Sequence, residues 1–225
     1  MPSILLIRHA QASFGAEKYD VLSDRGRRQV TALLAGLRRR RIVADQVISG
    51  DLQRQRDTVQ PYADALALTV RIDPRWNEYS DRDILINHSS MLAGLERHPG
   101  DPELTSQEFQ HVLNEALRRW IAAGGSSPAR EPWPRFRGRV TGALEEVADG
   151  LCKGQTALVV SSGGAIAAIT AALLGVPDEA LIAFNHVSVN TAITKLAIGR
   201  SGTTLVSSNE HAHLDEADGS LITYR

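Results

Sequence analysis

Three segments of the chain place reactive side chains directly behind β-prone runs. Arg8 and His9 follow the apolar run Ile4 to Ile7, Arg54 closes the stretch SGDLQR that follows Gln46 to Ser49, and Ser161-Ser162-Gly163-Gly164 closes the run that begins at Thr156. An imidazole flanked by two guanidinium groups is held neutral more easily, and a neutral imidazole can attack phosphorus. Arginine binds phosphate oxygens through two parallel donors, which suits Arg8 and Arg54 jointly. Gly163 and Gly164 permit a tight turn into a helix whose first amides and positive dipole end suit an anion. Glu78, in the stretch WNEYS, can return a proton to a leaving alcohol if partial burial raises its pKa. Taken singly, each signal is weak. An Arg-His pair behind a strand is usually structural, a Gly-Gly turn without a Walker-type lysine often serves packing, and Glu78 has Arg75 and Arg82 close by as surface partners.

These groups need elements that bring them together. Ile4 to Ile7 reads as a strand buried on both faces. Ser23 caps a helix with Val30, Leu33, Leu34 and Leu37 on one side, ending in the basic run Arg38 to Arg41. A strand over Gln46 to Ser49, a helix from about Asp51 to Leu66 and a strand over Thr69 to Ile72 follow. Helical patterns then run from Ile84 to Ala123, one carrying Leu85, Met91, Leu92 and Leu95, another Phe109, Val112, Leu113, Leu117 and Trp120. Together with the Pro-, Gly- and Ser-rich loop Gly124 to Pro134, they predict a helical cap inserted over residues 84–134. Beyond it come a helix over Phe136 to Leu151, a strand over Thr156 to Ser161 and a helix to Leu174. Two last strands, Thr191 to Ile198 and Thr203 to Ser208, turn at Gly199 to Gly202. The alternation predicts an α/β fold, a mostly parallel sheet with helices on both faces. Ligands collect at the carboxyl ends of such strands, so the segments above face one pocket.

The chain has 225 residues, 43% of them hydrophobic, and a formal net charge of −1, which suits a single domain over 1–225. That balance gives no reason to expect nucleic acid or a membrane as partner, and the Arg38 to Arg41 run complements a helix C-terminus. No stretch is long and apolar enough to span a bilayer and the N-terminus lacks a secretory pattern, so a cytoplasmic location is expected. The one cysteine, Cys152, excludes an intrachain disulfide framework, and its place beside Lys153 and Gly154 at a helix end argues against a nucleophile.

The ordered set LIRHAQAS, LSDRGRRQ, SDLQRQRDT, the glutamate of WNEYS and VVSSGGAI resembles the histidine phosphatase superfamily, which includes phosphoglycerate mutases and many small phosphatases. The resemblance extends from Ile4 to the SNEHAHL stretch ending at Leu214. It implies that His9 is the phosphorylated nucleophile, Arg8 and Arg54 the phosphate clamps, Glu78 the proton donor, and Gln11 a residue lining the pocket. It also implies no metal and no organic cofactor, apart from the bisphosphoglycerate primer of the mutases. Two departures stand out. Ala10 replaces the glycine that usually follows Arg-His, adding one methyl group. Ser162 replaces a histidine that donates a hydrogen bond to the phosphoryl group. A serine hydroxyl still donates, but it is shorter and uncharged, and losing one well-aimed donor costs about 10²- to 10³-fold in rate. Either activity is reduced or another group fills in, with His186, His211 and His213 as candidates.

Three functions are compatible with this pattern. The favoured one is a metal-independent phosphatase acting on small phosphomonoesters, with Ser162 and Gly163 joining the arginines on the phosphate. A phosphoglycerate mutase is the second, although mutases usually follow Arg-His-Gly with a Trp-Asn pair where Ser13-Phe14-Gly15-Ala16 stands here. The third is a catalytically silent binder of a phosphorylated ligand, suggested by the missing histidine. An exposed edge strand near the C-terminus leaves room for a homodimer.

Overall fold

The computed structural model describes residues 1–13, 20–89, 106–217 and 219–224. Six strands form one sheet: β1 (Ser3–Arg8), β2 (Gln46–Ser49), β3 (Val70–Ile72), β4 (Thr156–Ser161), β5 (Ile193–Gly199) and β6 (Gly202–Glu210), in the order β3-β2-β4-β1-β5-β6. The first four in that order run parallel, whereas β5 and β6 are antiparallel additions at one edge. The sheet is therefore mostly parallel, as the alternation of elements predicts. β1 and β4 lie side by side in its centre, which explains why both read as unbroken apolar runs.

Successive residues of these strands serve opposite faces. Leu5, Ile7, Leu158 and Val160 pack against Leu33 and Leu37 of α1 (Asp24–Arg39) and Val59 and Tyr62 of α2 (Gln53–Ala65). Ile4, Leu6, Ala157 and Val159 belong to the larger core on the other face, with residues of α3 (Asp81–His88), α4 (Ser106–Ala123), α5 (Trp133–Asp149), α6 (Gly163–Leu174) and α7 (Ala180–Val187). Ser23 caps α1 as expected, its Oγ accepting from the Gly26 amide at 3.0 Å, which satisfies one of the donors that a helix start exposes.

Helix α4, from the segment expected to form the cap, packs into the larger core. Trp120 of α4 meets Tyr79, Trp133 and Phe136 with ring centroids 5.5 Å, 5.3 Å and 5.6 Å away, and all four belong to the continuous core on that face. Tilted and edge-on ring pairs at such spacings are favourable beyond the area they bury. Tyr79 adjoins Glu78, so this aromatic cluster also anchors the segment bearing the expected acid. Met91, Leu92 and Leu95, and Phe14 to Ala16 after the first motif, lie outside the described residues.

Two elements differ from the sequence expectation. The helix after the Pro-rich stretch begins at Trp133, with Pro132 as its N-cap and Pro134 in its first turn, because proline lacks only an amide that a helix start leaves unpaired anyway. The eight-residue helix α7 has no counterpart in the sequence reading. Its apolar periodicity is short and ends in Val187-Ser188-Val189, which reads as β-prone. Among the described residues no helix is long and apolar enough to cross a membrane.

Candidate active site

The adjacency of β1 and β4 sets the geometry. Arg8 is paired with Ser161, and the His9 amide donates to the Ser161 carbonyl at 2.9 Å, so His9 and Ser162 emerge as neighbours at the strand ends. The turn that follows is held from both sides. Asn190 Nδ2 donates to the His9 carbonyl at 2.9 Å, and the Ala10 amide donates to Thr58 Oγ1 at 2.9 Å. Thr58 Oγ1 in turn donates to the Arg54 carbonyl at 2.7 Å, tying the His9 turn to the start of α2. The methyl group of Ala10 is fully buried against Leu22 and Val30, so the first departure from the usual motif is absorbed by packing.

His9 has its tautomer set by its two ring contacts. Nδ1 lies 2.8 Å from the Ala10 carbonyl, and Arg54 Nε lies 3.1 Å from Nε2. The carbonyl can only accept and the guanidinium can only donate. The proton therefore resides on Nδ1, and Nε2 presents its lone pair toward the Arg54 guanidinium. Burial, then the charges of Arg54 and Arg8, hold the imidazole pKa well below its ordinary value, against a raising contribution from Ala10. Both causes disfavour the cation. His9 is accordingly neutral at physiological pH.

The two arginines are held differently. Arg54 is tethered by Asp20, whose Oδ1 accepts from Nη1 at 2.6 Å while Oδ2 accepts the Gln53 amide at 2.7 Å. Asp20 thus caps the first turn of α2 and orients Arg54 across His9. Arg8 lies buried on the far side, its Nη1 donating to the backbone carbonyl of Ser188 and, at 2.7 Å, to that of Tyr224. It is thereby fastened to the segment after α7 and to the C-terminal tail. Gly163 passes so close that a Cβ there would stand 3.3 Å from Arg8 Nε and collide with Asn185 Oδ1.

Glu78 reaches the same helix start. Its Oε2 accepts from the Gly164 amide at 2.9 Å and its Oε1 from the Tyr79 amide at 3.2 Å. Burial pushes its pKa up; the Gly164 amide opposes that shift, and Asp81 reinforces it. Arg75, a surface partner that the sequence offered for Glu78, is instead engaged by Asp73 and Glu146. Arg56 is exposed and donates to Gln53 Oε1 at 2.9 Å. The side-chain oxygen of Gln11 accepts from Ser23 Oγ at 2.9 Å, and its amide donates to Gln29 Oε1 at 2.8 Å, so Gln11 braces the first motif against α1.

Ser162 is fully buried, and the side chain that meets it is neither His186, His211 nor His213. Gln55 Nε2 donates to Ser162 Oγ at 2.9 Å. His213 instead faces Thr191 Oγ1 at 3.0 Å, with burial lowering its pKa to about 4, and His211 faces the Asn209 carbonyl at 2.6 Å. His186 and His211 line a hollow with Tyr224 and Asn209. Sequence reasoning missed Gln55, Asp20 and Asn190. Gln55 stands directly after Arg54 in a stretch already singled out, and a polar residue next to a clamp in a helix's first turn was the available signal; Asn190 carried none.

Comparison with known proteins supplies the family. The profile of the histidine phosphatase superfamily (branch 1) matches residues 4–83 and 93–211. The chain is 26% identical over 227 residues to a probable phosphoglycerate mutase GpmB from Shigella dysenteriae serotype 1 (strain Sd197), covering 96% of each. Among solved structures it resembles a phosphoserine phosphatase mutant from Entamoeba histolytica in complex with phosphoserine, with a TM-score of 0.66 at 18% identity over 95% of this chain and 100% of the other. A mycobacterial glucosyl-3-phosphoglycerate phosphatase gives a TM-score of 0.62 at 23% identity over 93% of this chain and 99% of that one.

Proposed function

The chain belongs to the histidine phosphatase superfamily (branch 1), and from that footing we propose that it is a metal-independent phosphatase that hydrolyses small phosphomonoesters in the cytoplasm through a phosphohistidine intermediate. The state of His9 supports this above all. Its imidazole is neutral, with the proton parked on Nδ1 and the Nε2 lone pair beside Arg54. Such a group is a nucleophile with a cation already at hand for the oxygens of the phosphorus it attacks. In the first step Nε2 forms a bond to phosphorus as the ester P–O bond breaks, and Glu78 delivers its proton to the departing oxygen. In the second, ionised Glu78 takes a proton from water as the water oxygen bonds to phosphorus and the P–N bond breaks. Inorganic phosphate leaves, and neutral His9 and protonated Glu78 return.

Each supporting group has a matching role. The raised pKa of Glu78 keeps a proton available for the alcohol, and Arg54 and Arg8 offset the charge that spreads over the phosphoryl oxygens. Gly163, at the opening of α6, adds a backbone donor to the same oxygens. Gln11, braced against Ser23, keeps the first motif in place at the pocket wall. A free, exposed Cys152 suits a reducing compartment.

A mutase is the second reading, favoured by the name of the Shigella dysenteriae relative. The deciding experiment measures phosphate release from an aryl phosphate in the presence of chelator, for the native protein and His9→Ala, alongside base-stable, acid-labile phosphate incorporation. The phosphatase requires turnover and a labelled protein, both lost in the variant. Interconversion of phosphoglycerates after bisphosphoglycerate priming, faster than phosphate release, would make it a mutase; tight retention of phosphate with no turnover would make it a binder.

A further inference from the structure

We infer that Gln55 is a positioning residue that aims the Ser162 hydroxyl at the transferring phosphoryl group, so that the pair replaces the donor usual in relatives with histidine at this place. The inference rests on the phosphoryl-transfer reading above.

Gln55 is fully buried in the first turn of α2, one residue beyond Arg54. Its Nε2 contacts two oxygens, the Trp76 carbonyl at 3.2 Å and Ser162 Oγ at 2.9 Å. The first contact settles which end of the amide is the NH₂, because two carbonyl oxygens facing each other would leave no donor between them. The Trp76 carbonyl is fixed in turn by Ser161 Oγ, which donates to it at 2.6 Å. With the amide so oriented, Ser162 Oγ must accept from Gln55, and its own hydrogen is left to donate elsewhere. Among the described residues Ser162 Oγ makes no second hydrogen bond, so that hydrogen has no protein acceptor there.

The direction follows from the neighbours. Ser162 emerges beside His9, and Arg54, adjacent to Gln55, reaches His9 Nε2, so the serine hydroxyl stands among the groups that surround the attacked phosphorus. The arrangement also carries a cost that folding alone does not explain. Among the described residues Gln55 Oε1 is buried with no hydrogen-bond partner, and Gly50 leaves space for it, since a Cβ there would collide with that oxygen. Native structures leave few buried polar atoms in this state. A buried amide with one end unpaired is costly, and an apolar side chain of the same volume would avoid that cost but could not donate to Ser162 Oγ.

The test is a double-mutant cycle between Gln55→Met, which conserves volume and removes the donor, and Ser162→Ala, read by turnover of an aryl phosphate and by affinity for orthovanadate. Ser162→Ala should lower kcat about 10²-fold, and Gln55→Met, which leaves the hydroxyl unaimed, about tenfold. KM should change by less than about threefold in each, because the donor acts on the transition state. The double variant should be no slower than Ser162→Ala alone, with vanadate affinity following the same non-additive pattern. Gln55→Glu supplies a second, isosteric variant whose carboxylate draws the serine hydrogen toward itself, so it should lose more than Gln55→Met.

If Gln55 only props the Glu78 segment through Trp76, its loss will add to that of Ser162→Ala and shift the alkaline limb of the pH profile, which overturns the inference. Native turnover with near-native variants also overturns it while leaving the phosphatase reading intact. Non-additive loss of vanadate binding in a protein without turnover sustains it and removes the phosphatase reading. A folded native protein that neither turns over nor binds vanadate overturns both.

Discussion

Replacing Glu78 by glutamine isolates one proton. The amide oxygen of the new side chain can still accept from the Gly164 amide, which lies 2.9 Å from the native Oε2, whereas its NH₂ takes the place of Oε1 and loses the longer bond from the Tyr79 amide at 3.2 Å. The reactive form of Glu78 in the first step is the neutral acid, so the neutral amide also preserves the charge around Arg54. What disappears is the proton for the leaving oxygen, and general acid catalysis of this kind contributes about 10²- to 10⁴-fold, or roughly 3–5 kcal/mol of barrier. The loss should depend on the substrate. An alkoxide cannot depart unprotonated, so an alkyl phosphate such as phosphoserine should show the full loss. Para-nitrophenolate departs without a proton, so formation of the phosphorylated enzyme from its ester should fall by less than about tenfold. A rapid-mixing burst on the aryl ester separates that step from dephosphorylation, where Glu78 serves as the base. In kcat/KM against pH, the acidic limb belongs to His9, whose neutral form is needed and whose pKa lies well below 6.5, and the alkaline limb to Glu78, whose protonated form is needed and whose pKa lies above 4.5. The glutamine variant should lose the alkaline limb and retain the acidic one. Because a raised carboxyl pKa means that the ionised form is disfavoured in the fold, native stability from this group is lost as pH rises through that pKa, so the variant's melting temperature relative to native should be higher at pH 7 than at pH 4. Equal losses on alkyl and aryl esters in the first step, or an unchanged alkaline limb, would refute the assignment.

Two further outcomes follow from packing and linkage. Gly50→Ala drives a methyl group into Gln55 Oε1 and Asn77 Oδ1, so both amides must move. Turnover should fall at least as far as in Gln55→Met, with a lowered melting temperature in calorimetry, as overpacking of a filled site requires. His213 has a folded pKa of about 4 against an ordinary 6.5, so its stabilising effect is complete above pH 6.5 and declines as pH falls from there toward 4. Urea unfolding at pH 7.5 and pH 5 should show the native protein losing about 2 kcal/mol more than His213→Gln over that interval, and parallel losses would exclude His213 as the source.

The central strands were legible because burial on both faces leaves a continuous apolar run whose end is marked by the first polar residue, and in β1 and β4 those residues are Arg8-His9 and Ser161-Ser162. The α1 cap was legible for a similar reason: Ser23 satisfies a donor that every helix start exposes, and its effect is local in sequence. Local rules fail where partners are distant. Asn190 positions the His9 carbonyl from 181 residues away, and Arg8 is fastened to the Tyr224 carbonyl 216 residues on, contacts that no periodicity encodes. Ser162 shows the same limit in a sharper form. Read along the chain, it is a catalytic histidine lost, and the substitutes to look for are other histidines. In three dimensions the place beside it belongs to a glutamine from α2, 107 residues away, whose amide is oriented by the Trp76 carbonyl and accommodated by a glycine at position 50. Three residues that look unrelated in sequence thus form one packed and hydrogen-bonded unit. Restoring histidine at position 162 by itself should therefore fail to raise activity, because the imidazole would need room that the Gln55 amide occupies and would leave its NH₂ group only the Trp76 carbonyl. Activity should rise only when Gln55→Ala is made together with Ser162→His, and a gain in aryl phosphate turnover from Ser162→His alone would show that the glutamine does not hold that place.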